Sequence, residues 1–107
     1  MSKYKLIKKE GYDDGYYWDK RYCFELDGKR YIFTDIGSFS GYIPCSRDIM
    51  EVKSDENLDI LLKNWSAEGI EEPDYLSEEY AIQCVEQLKD SGTKAGESFE
   101  LWNDEDE

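Results

Sequence analysis

The segment Tyr16–Asp35 constrains the fold more than any other part of this chain. Tyr16, Trp18, Tyr22, Phe24 and Leu26 share one parity, broken only by Lys20, while Asp19, Arg21, Cys23 and Glu25 share the other. A period of two is the signature of a half-buried strand. Asp27-Gly28 follows, a pair suited to the positive backbone dihedrals of a two-residue hairpin loop, and Lys29–Asp35 returns. Such a loop sets Leu26 opposite Lys29, Phe24 opposite Tyr31 and Tyr22 opposite Phe33. The large aromatics then share one face, while Glu25 meets Arg30 and Cys23 meets Ile32 on the other. Register, charge pairing and apolar face all agree on an antiparallel hairpin.

Around this hairpin the pattern is less regular. Tyr4–Lys9 reads as a first strand and Gly11–Gly15 as a turn. A two-residue Asp14-Gly15 loop would set Lys8 beside Arg21, a like-charge pair, so a bulge or a longer loop is expected near Gly11. Ile36–Asp48, rich in Gly and Ser and containing Pro44, reads as a loop with a short strand around Gly41–Pro44. Ile49–Lys53 fits either a fourth strand or a helical turn. Ser54-Asp55-Glu56-Asn57 offers small capping groups and early acids, as a helix start requires. Leu58, Leu61, Leu62 and Trp65 then recur at helical spacing, with Gly69 as the stop. Residues 70–76, with Pro73, form a loop. Ser77 is the expected cap of a second helix with Glu78 and Glu79 in its first turn, a buried stripe of Ala81, Cys84, Val85 and Leu88, and an end at Gly92. Thr93–Glu97 turns, and Ser98–Trp102 is a candidate last strand. The expected architecture is α+β, an antiparallel sheet of about four strands with two helices packed on one face, the aromatic one. Residues 1–102 form a single domain and residues 103–107 an acidic tail.

Composition removes several classes of function. A chain of 107 residues buries a little over ~60% of its unfolded surface, enough for one core. An aromatic content of 15% argues against a disordered acidic chain. Histidine is absent, and with it the usual general base, the commonest metal ligand and every Ser-His or Cys-His nucleophile pair. Three separated cysteines, Cys23, Cys45 and Cys84, make neither a disulfide framework nor a thiolate metal site, and suit a reducing cytoplasm. The start MSKYKLIKKE has no apolar run of signal-peptide length, and no stretch approaches the ~20 apolar residues of a membrane span. A soluble cytoplasmic protein is expected. In GSFSG, Gly37–Gly41, Phe39 stands where a nucleophile elbow needs Ser, and no Lys follows as in a phosphate loop. The calcium-loop pattern is also missing. No catalytic residue, metal or cofactor is expected.

The charge distribution carries the functional signal. Residues 1–53 hold 10 Lys+Arg and 9 Asp+Glu, a net of +1, whereas residues 54–107 hold 3 and 17, a net of −14. Solubility alone requires a net charge of only ~2–8, and packing like charges together destabilises the compact state. The acids Asp55, Glu56, Asp59, Glu68, Glu71, Glu72, Asp74, Glu78, Glu79, Glu86 and Asp90 belong to this half. The run Glu68, Glu71, Glu72, Asp74, Glu78 and Glu79 is uninterrupted by Lys or Arg. It is the sharpest candidate contact, extended by Asp55, Glu56 and Asp59. Tyr12 and Tyr17, flanked by acids, are candidate anchors with apolar bodies and polar tips. A surface of this kind attracts a cationic partner and repels nucleic acid and anionic membrane.

In size, in the lack of a signal and in the acidic stretch Ser54–Glu79, the chain resembles the small acidic immunity proteins of bacterial toxin/immunity pairs, including those of contact-dependent growth inhibition and polymorphic toxin systems. The resemblance implies a cytoplasmic inhibitor that binds a nuclease toxin 1:1 and plugs its active site. It carries no residue roles. Phage-encoded nucleic-acid mimics that block host defence nucleases share these traits. A non-inhibitory adaptor docking a basic protein is the further alternative.

Overall fold

The computed structural model describes residues 4–41, 45–53, 55–67 and 76–101, with the side chains of Asp55 and Glu56 outside the description. Among the described residues, five strands form one antiparallel sheet in sequence order: β1 (Tyr4–Asp13), β2 (Tyr17–Leu26), β3 (Lys29–Ser38), β4 (Ser46–Glu51) and β5 (Ser98–Glu100). The helices described between β4 and β5 in sequence are α1 (Asp55–Leu61) and α2 (Glu78–Ser91). The α+β class and the antiparallel sheet stand as expected, with five strands rather than about four.

The β2–β3 hairpin has the register read from its sequence: Leu26 faces Lys29, Phe24 faces Tyr31 and Tyr22 faces Phe33. Asp27 and Gly28 adopt φ of 53° and 83°, as a two-residue loop demands. Arg30 and Glu25 form an ion pair at 3.2 Å, and the Phe24 and Tyr31 rings stack at 5.5 Å. The β1–β2 connection avoids the Lys8–Arg21 clash in two ways. The loop is longer, with the Asp14 N–H donating to the Tyr17 carbonyl, and a bulge falls between Leu6 and Lys8 rather than near Gly11. Lys8 then faces Cys23, and Arg21 faces Glu10 with an ion pair at 3.3 Å. Gly11 still has a special task. Its φ is +111°, and a β-carbon there would lie 1.8 Å from the Asp19 carbonyl oxygen.

Six boundaries differ from expectation. β1 runs on to Asp13, through Gly11 and Tyr12 of the expected turn, and β5 ends at Glu100. Tyr16 lies in the loop before β2, 58% exposed, and not in the strand. β3 runs on to Ser38 because Gly37 gives the Trp18 ring room: a β-carbon at Gly37 would sit 2.7 Å from it. β4 begins at Ser46, inside the segment expected to be loop, and resolves the Ile49–Lys53 ambiguity in favour of a strand. α1 ends at Leu61, well before Gly69, since bonds such as Trp65 N–H to the Leu62 carbonyl tighten the chain into a turn. Leu61 is therefore exposed, while Leu58 and Leu62 are buried. The expected strand at Gly41–Pro44, the cap Ser54, the stop Gly69, Trp102 and the tail lie wholly or partly outside the described residues.

The helices do not share a face. Tyr22, Phe24, Leu26, Tyr31, Phe33 and Ile49 pack with Ala81, Cys84, Val85 and Leu88 of α2. Cys23 and Ile32, of opposite parity, pack with Val52, Leu58 and Leu62, so α1 covers the other side. The division of the helices between the two faces has a physical cause. Cys23 and Ile32 make the second face apolar at its centre, and buried apolar area there requires a cover of its own. The path agrees with this. After α1 the chain reaches the free edge of β1, where Lys9 and Ser66 exchange backbone hydrogen bonds at 3.0 and 3.2 Å. It is next described at Leu76, already in the α2-side core.

Candidate partner-binding surfaces

The α2 helix presents an ordered line of carboxylates. Ser77 is extended at φ −80° and ψ 170°, and its hydroxyl accepts from the Tyr80 N–H at 3.2 Å; Gly92 closes the helix at φ 77°. Between these caps Ala81, Cys84, Val85 and Leu88 are buried, which turns Glu79, Gln83, Glu86 and Asp90 to solvent at i, i+4, i+7 and i+11. Glu78 is exposed beside them. Among the described residues, none of Glu78, Glu79, Glu86 and Asp90 takes part in an ion pair. Glu78 and Glu79 lie at the positive end of the helix dipole, whereas Asp90 lies at the negative end, where a carboxylate is unfavourable.

A second surface lies on the α1 face of the sheet, beyond the short helix. The register aligns Glu10, Arg21, Thr34, Asp48 and Glu100 in one row across all five strands, and Tyr12, Asp19, Ile36 and Ser46 in the next. Four carboxylates thus share the region with one guanidinium, which already pairs with Glu10 and with Asp19 at 3.4 Å. The Tyr12 and Tyr17 rings meet at 5.6 Å with a 48° tilt, and Tyr12 is 53% exposed. Desolvation, with Asp14, Tyr17 and Asp19 nearby, holds the Tyr12 phenol above its ordinary pKa. Asp48 and Glu100 are directly opposite across β4 and β5. Burial, then the Glu100 charge, raises the Asp48 carboxyl pKa. No cation stands between the two among the described residues.

On the α2 face a buried polar cluster closes the same end of the sheet. Asp35 is 6% exposed and accepts from Trp18 Nε1 at 3.0 Å; its other oxygen is 3.9 Å from Arg47 Nε. The Arg47 guanidinium donates to the Tyr80 hydroxyl at 3.2 Å and lies over the Tyr80 ring at 5.8 Å. Trp18 is accordingly a packing and clamping residue. Burial pushes the Cys23 and Cys84 thiols up to about 11, so neither is a ready nucleophile. Cys45 is exposed. Among the described residues no group of three or more Cys, Asp or Glu could hold a metal ion, and none of the helices is long and apolar enough to cross a membrane.

These surfaces redistribute the residues singled out from the sequence. Glu78 and Glu79 stand exposed at the start of α2, and Asp59 is exposed on α1, whose first residues are Asp55 and Glu56. Tyr12 and Tyr17 come together as a ring pair, but on the face opposite α2. Glu68, Glu71, Glu72 and Asp74 lie outside the described residues. Sequence reasoning did not pick out Asp19, Asp48 and Glu100 as contact residues. Their shared face depends on the β4–β5 register, for which the sequence carries no turn signal. No protein-family model matches the chain, and neither a curated protein nor a solved structure matches it.

Proposed function

We propose that the protein is an acidic inhibitory binding protein, an immunity protein that neutralises a nuclease toxin by holding carboxylates against the cations of its substrate cleft. The observation that carries this reading is the division of charge, net +1 over residues 1–53 and net −14 over residues 54–107. A cleft that holds phosphates is lined with Lys and Arg. Carboxylates presented at similar density pair with those cations and exclude the substrate. The exposed line Glu79, Glu86 and Asp90 on a capped helix supports the reading, because a preformed array loses little freedom on binding. Charge of one sign also steers association, up to ~10⁸–10⁹ M⁻¹s⁻¹ at low salt. An aromatic pair such as Tyr12, exposed, and Tyr17, half-buried, supplies apolar contact that salt does not screen.

The test is affinity capture from the source cell across a salt series, followed by assay of the captured protein. The expected result is one basic nuclease, bound 1:1, retained above moderate salt and silent at one equivalent of this chain. Charge reversal at Glu71, Glu72, Glu78 and Glu79 should weaken capture by at least about tenfold, since each lost charge contact is worth on the order of 1 kcal/mol. Recovery of only abundant basic proteins, all released at moderate salt, would overturn the reading. A tightly bound enzyme whose catalysis is unchanged would leave an adaptor.

A further inference from the structure

Resting on the basic partner proposed above, we propose that the α1 face beyond the helix is an arginine-binding surface, occupied by an extended partner segment carrying at least two arginines. One guanidinium lies over the Tyr12–Tyr17 pair beside Asp19, and the other sits between Asp48 and Glu100.

Three features of the molecule support this occupant. The first is the ring pair itself, 5.6 Å between centroids and more than half exposed at Tyr12. Tyrosine faces attract cations, and the carboxylate of Asp19 faces Tyr12 across the strands. The second is the Asp48–Glu100 pair. Like charges directly opposite in a sheet destabilise it, and a cation inserted between them removes that repulsion. Asp19 on β2 and Asp48 on β4 are two strands and one row apart, ~12 Å at a strand spacing of ~4.8 Å and a rise of ~3.4 Å per residue, a gap spanned by arginines four residues apart on one face of an extended segment. The third is that the chain already meets these demands elsewhere with arginine. Arg47 lies over Tyr80 while pairing with Asp35, and Arg21 bridges Glu10 and Asp19. A guanidinium can stack and donate sideways at once, whereas an ammonium acts as a compact point charge. Arginine is therefore the cation that fits a surface combining rings with carboxylates.

The experiment uses the isotope-labelled full chain, titrated in low salt with hexa-arginine and, separately, with hexa-lysine. Binding of hexa-arginine should move the amide resonances of Tyr12, Tyr17, Asp19, Asp48 and Glu100, at least about threefold more tightly than hexa-lysine, the preference expected of one exposed cation–ring contact. Tyr12→Ala with Tyr17→Ala should abolish the preference while leaving charge-driven binding. Asp48→Asn with Glu100→Gln should weaken both peptides. The mapping on the unaltered chain needs no variant to fold. Equal affinity for the two peptides, or shifts confined to α2, would overturn the proposal. The two readings fail separately. Arginine binding at this face by a chain that leaves its captured nuclease active defeats only the inhibitor reading. Nuclease inhibition with the contact mapped to α2 defeats only this one.

Discussion

Asp48 is a carboxylate held where its neighbours work against its charge. Glu100 faces it from β5 and Thr34 from β3, and a hydrogen bond from Ser46 offsets part of the cost of its charge. Burial followed by Glu100 raises its pKa above the ordinary 3.8. A carboxyl with a raised folded-state pKa contributes stability that is fully present below the unfolded value and lost as pH rises through the folded one. Asp48→Asn should therefore match the unaltered chain below about pH 3.8 and become more stable above it, with the gap reaching its limit once Asp48 is ionised in the folded state. Urea unfolding from pH 3 to pH 7 measures this, and a gap that is constant or reversed would disprove it. Asp13 and Asp14 have the opposite sign. Lys20 and the Gly15 N–H lower the first, the Tyr17 and Tyr16 N–H groups lower the second, and both lose their contributions as pH falls. Among individual residues, those whose conformation depends on near neighbours were legible in the sequence. Asp27 and Gly28 announce their turn, and both adopt the positive φ that it requires. The conflict at Asp48 was not legible, because it depends on a strand fifty residues away.

At the scale of elements, α2 was the most readable part of the chain and α1 the least. Ser77, the acids behind it, the four buried positions and Gly92 all state the same helix, and its two caps fall at the expected residues. Ser77→Ala removes the side-chain acceptor for the Tyr80 N–H and should cost about 1 kcal/mol, seen as a lower urea midpoint with an unchanged slope. A shift below about 0.3 kcal/mol would mean that packing alone sets the start of the helix. In α1 the repeat Leu58, Leu61, Leu62, Trp65 suggested a longer helix, yet the turn after Leu61 leaves Trp65 to pack, from outside any helix, against the cluster of Cys23, Ile32, Val52, Leu58 and Leu62. Periodicity records which residues are buried, and a turn can bury Trp65 as well as a helix can. The placement of the two helices was misread for a related reason. The aromatic parity of β2 and β3 marks one core so strongly that Cys23 and Ile32, the centre of a second, pass as ordinary strand residues.

Taken whole, the molecule is small compared with the reach of its own field. Its extents are 37 × 33 × 24 Å, and the Debye length is ~30 Å at 0.01 M salt but only ~8 Å at 0.15 M. At low salt, nearly every charge therefore acts on every other, and with a net of −13 the sum is repulsive. The described ion pairs do not reverse this. They engage Lys20, Arg21, Arg30 and Arg47, all in the near-neutral first half, and leave the α2 carboxylates without cations. Raising salt from 0.01 to 0.3 M should accordingly raise the melting temperature of the free chain. The same change should slow association with a basic partner, because the field that strains the fold also draws the partner in. The two opposed slopes distinguish a surface held for binding from one held for solubility. Neutralising Glu86 and Asp90, near the negative end of α2, should flatten both. Neutralising Glu78 and Glu79 should flatten only the association slope, since the helix dipole already favours charge at those positions. If melting temperature falls with salt instead, favourable ion pairs outweigh the repulsion. The excess of acids would then need no offsetting partner to explain it.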